Sequence, residues 1–251
     1  MGIKEKHITG NRIHKFENGI KVYDNQLLDI QRERYLKVNV HEAVEENVFI
    51  EYINRIRASG TFINVGSAIG YYLFLAKLKR PDIKVIGYEP LRLHRKYFYR
   101  NVLLNNFRES DFKLFPEGLH YEKRWNLLKN RRFGSLIETS KVIKICNFFK
   151  YMFSKKYTLI KTVTLNEIIQ RSDGIIDLLQ MDIQGIEYNI LNNSKEILMK
   201  GFIKCFIIGT HGSEIHQGSL DVLQYCNYNI SYNEPFPVGQ PDGIIVAEFN
   251  D

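Results

Sequence analysis

From Thr61 onward, short apolar runs alternate with helix-length amphipathic segments, the pattern of βα units winding a mostly parallel sheet. "TFINV" reads as a first strand and "YYLFLAKLK" as its helix; "IKVIGYE" and "LRLHRKYFYRNVLLNN" repeat the unit. "DFKLFP" reads as a third strand. "GIIDLLQMD" reads as a fourth, and its near-continuous apolar run suits a strand covered on both faces. A helix near Ile186 to Met199, the strand "FIKCFIIGT" and a helix near Ser219 to Cys226 follow. "YNISYN" and "GIIVAEF" have no long crossover between them and suit an antiparallel pair. The expected fold class is α/β: a Rossmann-like, seven-stranded, mostly parallel sheet with an antiparallel edge hairpin.

Two segments stand outside this rhythm. Residues 1–59 read as an amino-terminal cap, a short β-rich start plus a helix at "HEAVEENVFIEYINRI", placed before a domain of residues 60–251. A basic insertion at about 120–160 carries eleven lysines and arginines from Lys123 to Lys161 against Glu122 and Glu138, and its "KVIKICNFFKYMF" has the spacing of an amphipathic helix. The whole chain, 251 residues with a net charge of +7, has room for one well-buried core. No window approaches the ~18 uninterrupted apolar residues of a membrane span. The start, "MGIKEKHITGNRIHKF", is polar where a secretory signal is apolar. Cys146, Cys205 and Cys226 form no C-x-x-C pair and read as buried thiols, which together with the polar start places the chain in the cytoplasm.

Candidate chemistry begins at "FINVGSAIGYY". A strand-to-helix turn sets backbone N–H groups at the carboxyl edge of the sheet, where α/β folds bind ligands. Gly66 lets a ligand approach the main chain and Gly70 lets helix and strand pack closely. A dinucleotide's pyrophosphate calls for G-x-G-x-x-G, and the middle position here is Ala68. Glu89 ends the second strand about 20 residues on, where a carboxylate accepts from both ribose hydroxyls, and Pro90 holds it at the strand tip. A ribose site beside a phosphate-free turn fits S-adenosylmethionine.

At these residues the chain resembles the FkbM-type S-adenosylmethionine-dependent methyltransferases. The pieces that match are "FINVGSAIGYY", "VIGYEP" followed by "NVLLNN", "VTLNEII", "DLLQMDIQGIEYNIL" and "FIIGTH", in the family's order from about Val40 to Glu248 with the insertion omitted. The resemblance implies a class I methyltransferase fold, O-methyl transfer to a sugar or polyketide hydroxyl, and cofactor contacts at Asn64, Gly66, Ser67, Ala68, Gly70, Tyr71, Glu89, Pro90 and Asp182. The chain departs from the family at Asn64, where aspartate is usual, at Gln180, where lysine is common, and at Gln184, where glutamate is common.

Methyl transfer to an alcohol needs alignment and one proton acceptor. Asp182 and His211, each ending a strand, are the catalytic candidates, with a neutral His211 as a base. Asp182, His211 and His216 also form a conceivable divalent-metal set, although no metal is expected. His41, Glu42, Glu187 and His216 are candidates for the substrate side, against a purely structural reading of each. The basic insertion reads as a lid, as a patch for phosphorylated or nucleotide-linked sugars, or as a contact with an anionic membrane. The leading expectation is a methyltransferase acting on a sugar hydroxyl of a surface glycan or its nucleotide- or lipid-linked precursor. A nucleic-acid methyltransferase, a non-catalytic cofactor-binding module and a dinucleotide oxidoreductase are the alternatives. Nucleic acid is disfavoured because "NEPF" at Asn233 follows a late strand rather than the fourth.

Overall fold

A computed structural model describes residues 12–129, 136–137, 156–240 and 242–251. The chain opens with a hairpin, β1 (Ile13–Lys15) and β2 (Lys21–Tyr23), then the helices α1 (Asp29–Lys37) and α2 (Ala43–Arg55). β3 (Thr61–Val65), α3 (Tyr71–Lys79), β4 (Lys84–Tyr88), α4 (Arg92–Leu104) and β5 (Lys113–Phe115) are the first βα units. β6 (Glu117–Leu119), β7 (Trp125–Lys129), β8 (Leu136–Ile137) and β9 (Tyr157–Val163) follow, then α5 (Leu165–Arg171) and β10 (Leu178–Met181). The remainder is α6 (Glu187–Asn193), α7 (Lys195–Leu198), β11 (Cys205–Thr210), α8 (Ser213–Tyr225), β12 (Tyr228–Glu234) and β13 (Gly243–Phe249).

Seven strands form the main sheet in the order β12-β13-β11-β10-β3-β4-β5. β13 pairs antiparallel with both β11 and β12, and the central pairings are parallel, so the expected fold class is borne out. The order reverses at β3, whose neighbours are β10 and β4, and the strand tips there form the crevice in which open α/β sheets bind ligands.

Alternation along the central strands loads both faces. Phe62 points to one core with Phe49, Phe74 and Phe98, while Ile63 and Val65 point to another with Ile190, Leu220 and Leu223. The amino-terminal segment joins the first of these: Phe16, Ile20, Val22 and Tyr35 are buried with Tyr71 and Phe74. Gly70 sits at φ +94°, and a Cβ there would lie 2.4 Å from the Phe98 ring. The Gly70→Ala variant is expected to lose roughly 2–4 kcal/mol of stability, measured as a lower midpoint in urea unfolding.

Three elements differ from the sequence expectation. β7, inside the basic insertion, and β9, across its end, pair in a second sheet of order β6-β9-β7-β8; polar residues such as Asn126, Thr158 and Lys161 interrupt their apolar positions and hide the strand period. The span Ile186 to Met199 breaks into α6 and α7 at Ser194, at φ −113° and ψ 10°. α8 begins at Ser213, earlier than expected, because "SEIHQG" offers only one apolar residue to mark a helical face. α5 also follows a local rule: Thr164 and Glu167 form a reciprocal capping box at its start. The helix expected at "KVIKICNFFKYMF" and Cys146 lie outside the described residues. Cys205 and Cys226 are buried free thiols, and no helix among the described residues is long and apolar enough to cross a membrane.

Candidate functional site

A cavity of about 670 Å³ opens at the tips of β3, β4 and β10. Its floor is the turn from β3 into α3. Gly66 and Ser67 donate their N–H groups to the Tyr88 carbonyl at 3.0 and 3.1 Å, pinning the turn to the next strand. Gly66 sits at φ +87°, and a Cβ there would lie 2.2 Å from the Asp182 carbonyl oxygen, so only glycine lets the tips of β3 and β10 approach this closely.

Glu89 is buried at the tip of β4 yet lines the cavity. Its carboxylate accepts from the Ala68 and Leu91 N–H groups, both at 2.8 Å, and two of its roughly four acceptor positions remain for a ligand. Arg95 holds the main chain behind it, donating to the Glu89 and Pro90 carbonyls at 2.8 and 2.7 Å. The His94 imidazole adds a further contact, 3.4 Å from the Glu89 carboxylate.

Two departures from the family pattern meet in space. Asn64 donates to Gln180 at 3.2 Å, and Gln180 donates to Glu45 of α2 at 2.5 Å. This buried amide chain ties the amino-terminal segment to β3 and β10 without a formal charge on either strand. The Glu45 carboxyl is pushed well up, first by burial and then by the charges of Glu42 and Asp182.

Asp182 lines the cavity just past β10, and its Oδ1 has no hydrogen-bond partner among the described residues. Burial raises its carboxyl to about 7; the His211 charge opposes this, and Glu42, Asp242 and Glu187 add to it. His211 stands behind the cavity wall. Its Nδ1–H donates to Glu187 at 2.8 Å, and its Nε2 lies 3.4 Å from Asp182 and 3.2 Å from Asp242. Burial disfavours the imidazolium, but Glu187, Asp182 and Asp242 outweigh it and raise the group to about 9. His211 thus sits among three carboxylates that favour its protonated form, whereas a general base there would need the neutral ring.

The expected substrate residues divide. His41 and Glu42 line the cavity, and His41 is held by the Tyr35 hydroxyl at 2.6 Å. Glu187 is fully buried away from the cavity, where its carboxylate accepts from the Gly185 N–H and from His211. His216 does not line the cavity. Both its ring nitrogens are bonded, to Thr210 at 2.6 Å and Asn233 at 2.7 Å, and it is buried beside α8. Among the described residues, the group with ligand atoms close enough to share an ion is Asp182, Glu187 and His211, one atom each within 4.8 Å of one another, rather than the conceivable set with His216. Glu187 already uses its oxygens there. Of the expected cofactor residues, Asn64, Gly66, Ser67, Ala68, Tyr71, Glu89, Pro90 and Asp182 line the cavity; Gly70 packs on Phe98 instead. The Tyr71 hydroxyl is engaged by Glu46 and Asn18.

Sequence reasoning missed Arg34, Tyr72, His94, Gln240 and Asp242, all of which line the cavity. The first comes from α1, whose residues are mostly polar, and the last two from the connection between β12 and β13, so no strand or motif marks them.

Fold and site together define an α/β protein with a ligand-sized cavity at the switch point of its sheet. The chain belongs to the FkbM family of S-adenosylmethionine-dependent methyltransferases: the family's model, the methyltransferase FkbM domain, matches residues 64–230. The resemblance read from the sequence is thereby borne out. Solved structures with similar folds include precorrin-6y C5,15-methyltransferase from Geobacter metallireducens GS-15, at 9% identity and TM-score 0.48 over 85% of this chain and 92% of that one. M. capricolum TrmK in complex with S-adenosyl-homocysteine is 12% identical, with a TM-score of 0.46 over 82% of this chain and 68% of that one. The METTL16 MTase domain is 12% identical, with a TM-score of 0.48 over 86% and 68%. No curated protein matches the chain by sequence.

The residues present fit this cofactor. Glu89 has acceptor capacity facing the cavity, Gly66 keeps the turn bare, and Asp182 and Glu42 on the same cavity would supply negative charge to a cationic cofactor.

Proposed function

We propose that this chain is an O-methyltransferase acting on a sugar hydroxyl of a glycan or its nucleotide- or lipid-linked precursor, with Asp182 as the general base. The observation that carries the reading is the Asp182 carboxylate, which lines the cavity beside the cofactor turn with its Oδ1 3.4 Å from the His211 Nε2 and no closer hydrogen-bond partner. When bound, S-adenosylmethionine supplies an electrophilic methyl carbon on a sulfonium. Asp182 would accept the proton of the acceptor hydroxyl while the methyl group's bond to sulfur gave way to a bond to the acceptor oxygen, the thioether being the leaving group. A carboxyl poised near neutrality suits that transfer, because its conjugate base is abundant and still basic enough to take a proton. Glu187 fixes the His211 ring through Nδ1, and the imidazolium keeps Asp182 oriented and offsets the repulsion from Asp242. The free thiols Cys205 and Cys226 support a reducing, cytoplasmic setting.

The test begins with calorimetric titration of S-adenosylmethionine and, in parallel, NAD. Incubation with sugars, nucleotide-linked sugars, lipid-linked glycans and RNA follows, read by mass spectrometry. A methyl ether on a sugar acceptor supports the reading. Methylation of RNA alone, or cofactor binding without transfer to any acceptor, overturns it.

A further inference from the structure

One buried hydroxyl in the cavity has no use within the fold. Tyr72, the second residue of α3, is 8% exposed and lines the cavity, and its hydroxyl has no hydrogen-bond partner among the described residues. An unpaired buried hydroxyl costs roughly 1–3 kcal/mol, so phenylalanine would serve the packing better. Its ring is already well placed against Phe49 at 5.0 Å and His41 at 6.0 Å, contacts that require no oxygen.

Two neighbours on the same cavity carry opposite charges. Glu42 and Glu45 are close enough to Tyr72 to push its hydroxyl well up, after burial itself. The Arg34 guanidinium lies 3.6 Å from Glu42, beyond hydrogen-bond length, and its Nε is likewise buried without a partner. A loose ion pair with an idle nitrogen, next to an idle hydroxyl, matches a zwitterion that carries both an ammonium and a carboxylate. An ammonium offers three donors, which Glu42 and the Tyr72 oxygen can accept; a guanidinium offers paired donors to a carboxylate.

We propose that Arg34, Glu42 and Tyr72 form a subsite for an α-amino-acid group, with Arg34 taking the carboxylate and Glu42 with Tyr72 taking the ammonium. Resting on the cofactor reading above, this assigns the methionine end of the cofactor to the amino-terminal segment, since Arg34 and Glu42 both precede β3. The nucleoside end belongs to Glu89 and the turn at Gly66.

Two ligands separate the ends. S-adenosylhomocysteine carries the amino-acid group, and 5′-methylthioadenosine has the same nucleoside and sulfur without it. In calorimetric titrations the wild type is expected to prefer S-adenosylhomocysteine. Tyr72→Phe should weaken that ligand by about tenfold, the worth of one hydrogen bond to a charged group. Arg34→Gln and Glu42→Gln should each weaken it by about 10- to 100-fold. All three variants should bind 5′-methylthioadenosine as the wild type does. The ligand-free Tyr72→Phe protein should melt at or above the wild-type temperature, which separates lost recognition from lost folding. Equal losses on both ligands, unchanged binding of S-adenosylhomocysteine, or a wild type that does not discriminate between the two sinks the subsite and leaves the cofactor reading standing. A wild type that binds neither ligand sinks both.

Discussion

Asp182→Asn is expected to lower kcat by roughly 10²- to 10⁴-fold, the range a positioned proton acceptor contributes, while S-adenosylhomocysteine binds within a few fold of wild type. The amide keeps the shape of the side chain and removes its basicity, so the loss falls on turnover. The pH dependence gives a second, independent readout. The base must be ionised to act, and burial holds Asp182 at about 7 in the free protein. The wild-type kcat/KM should therefore rise as pH climbs through about 7. It should decline again as His211, raised to about 9 by the carboxylates around it, gives up its proton and leaves three acidic groups facing one another. Asp182→Asn should abolish the rising limb. A variant that keeps that limb would move the base elsewhere.

Glu89→Ala should raise the dissociation constant for S-adenosylhomocysteine by roughly 10²- to 10⁴-fold. Two hydrogen bonds from ribose hydroxyls to a carboxylate are each worth about 1.5–3 kcal/mol. Part of the effect is indirect, because the Ala68 and Leu91 N–H groups lose the oxygens that orient them. Glu89→Gln separates the contributions: it keeps one acceptor and loses the charge, so its affinity should fall between the two. Wild-type affinity in Glu89→Ala would contradict a ribose site at this strand tip.

The sheet was legible because its signals are local. "TFINV", "GIIDLLQMD" and "FIKCFIIGT" are apolar on both faces, as strands covered on both sides must be, and the turn at Gly66 and the acid at Glu89 lie at fixed offsets from strand ends. Asn64, Glu89 and Asp182 could therefore be placed by counting. Tyr72, Arg34 and Asp242 could not. Their roles arise from contacts between elements distant in sequence, and each looks locally like a surface or core residue. His211 and His216 were equally plausible as loop histidines, five residues apart. What separates them is that His211 faces Glu187 and Asp182, whereas His216, one turn into α8, faces Thr210 and Asn233. Sequence spacing carries no trace of that difference. The second sheet was hidden because its strands border a segment dominated by charge.

The cavity wall joins Arg34 and Glu42, from before the first strand of the main sheet, to Gln240 and Asp242, which precede its last strand; Gln240 accepts from the Glu45 N–H at 3.3 Å. During biosynthesis, the pieces of this wall leave the ribosome some two hundred residues apart. A nascent or prematurely ended chain that stops before Gln240 can wind most of its sheet yet cannot close the binding chamber. Ligand-dependent resistance to proteolysis is therefore expected only once β13 has been made.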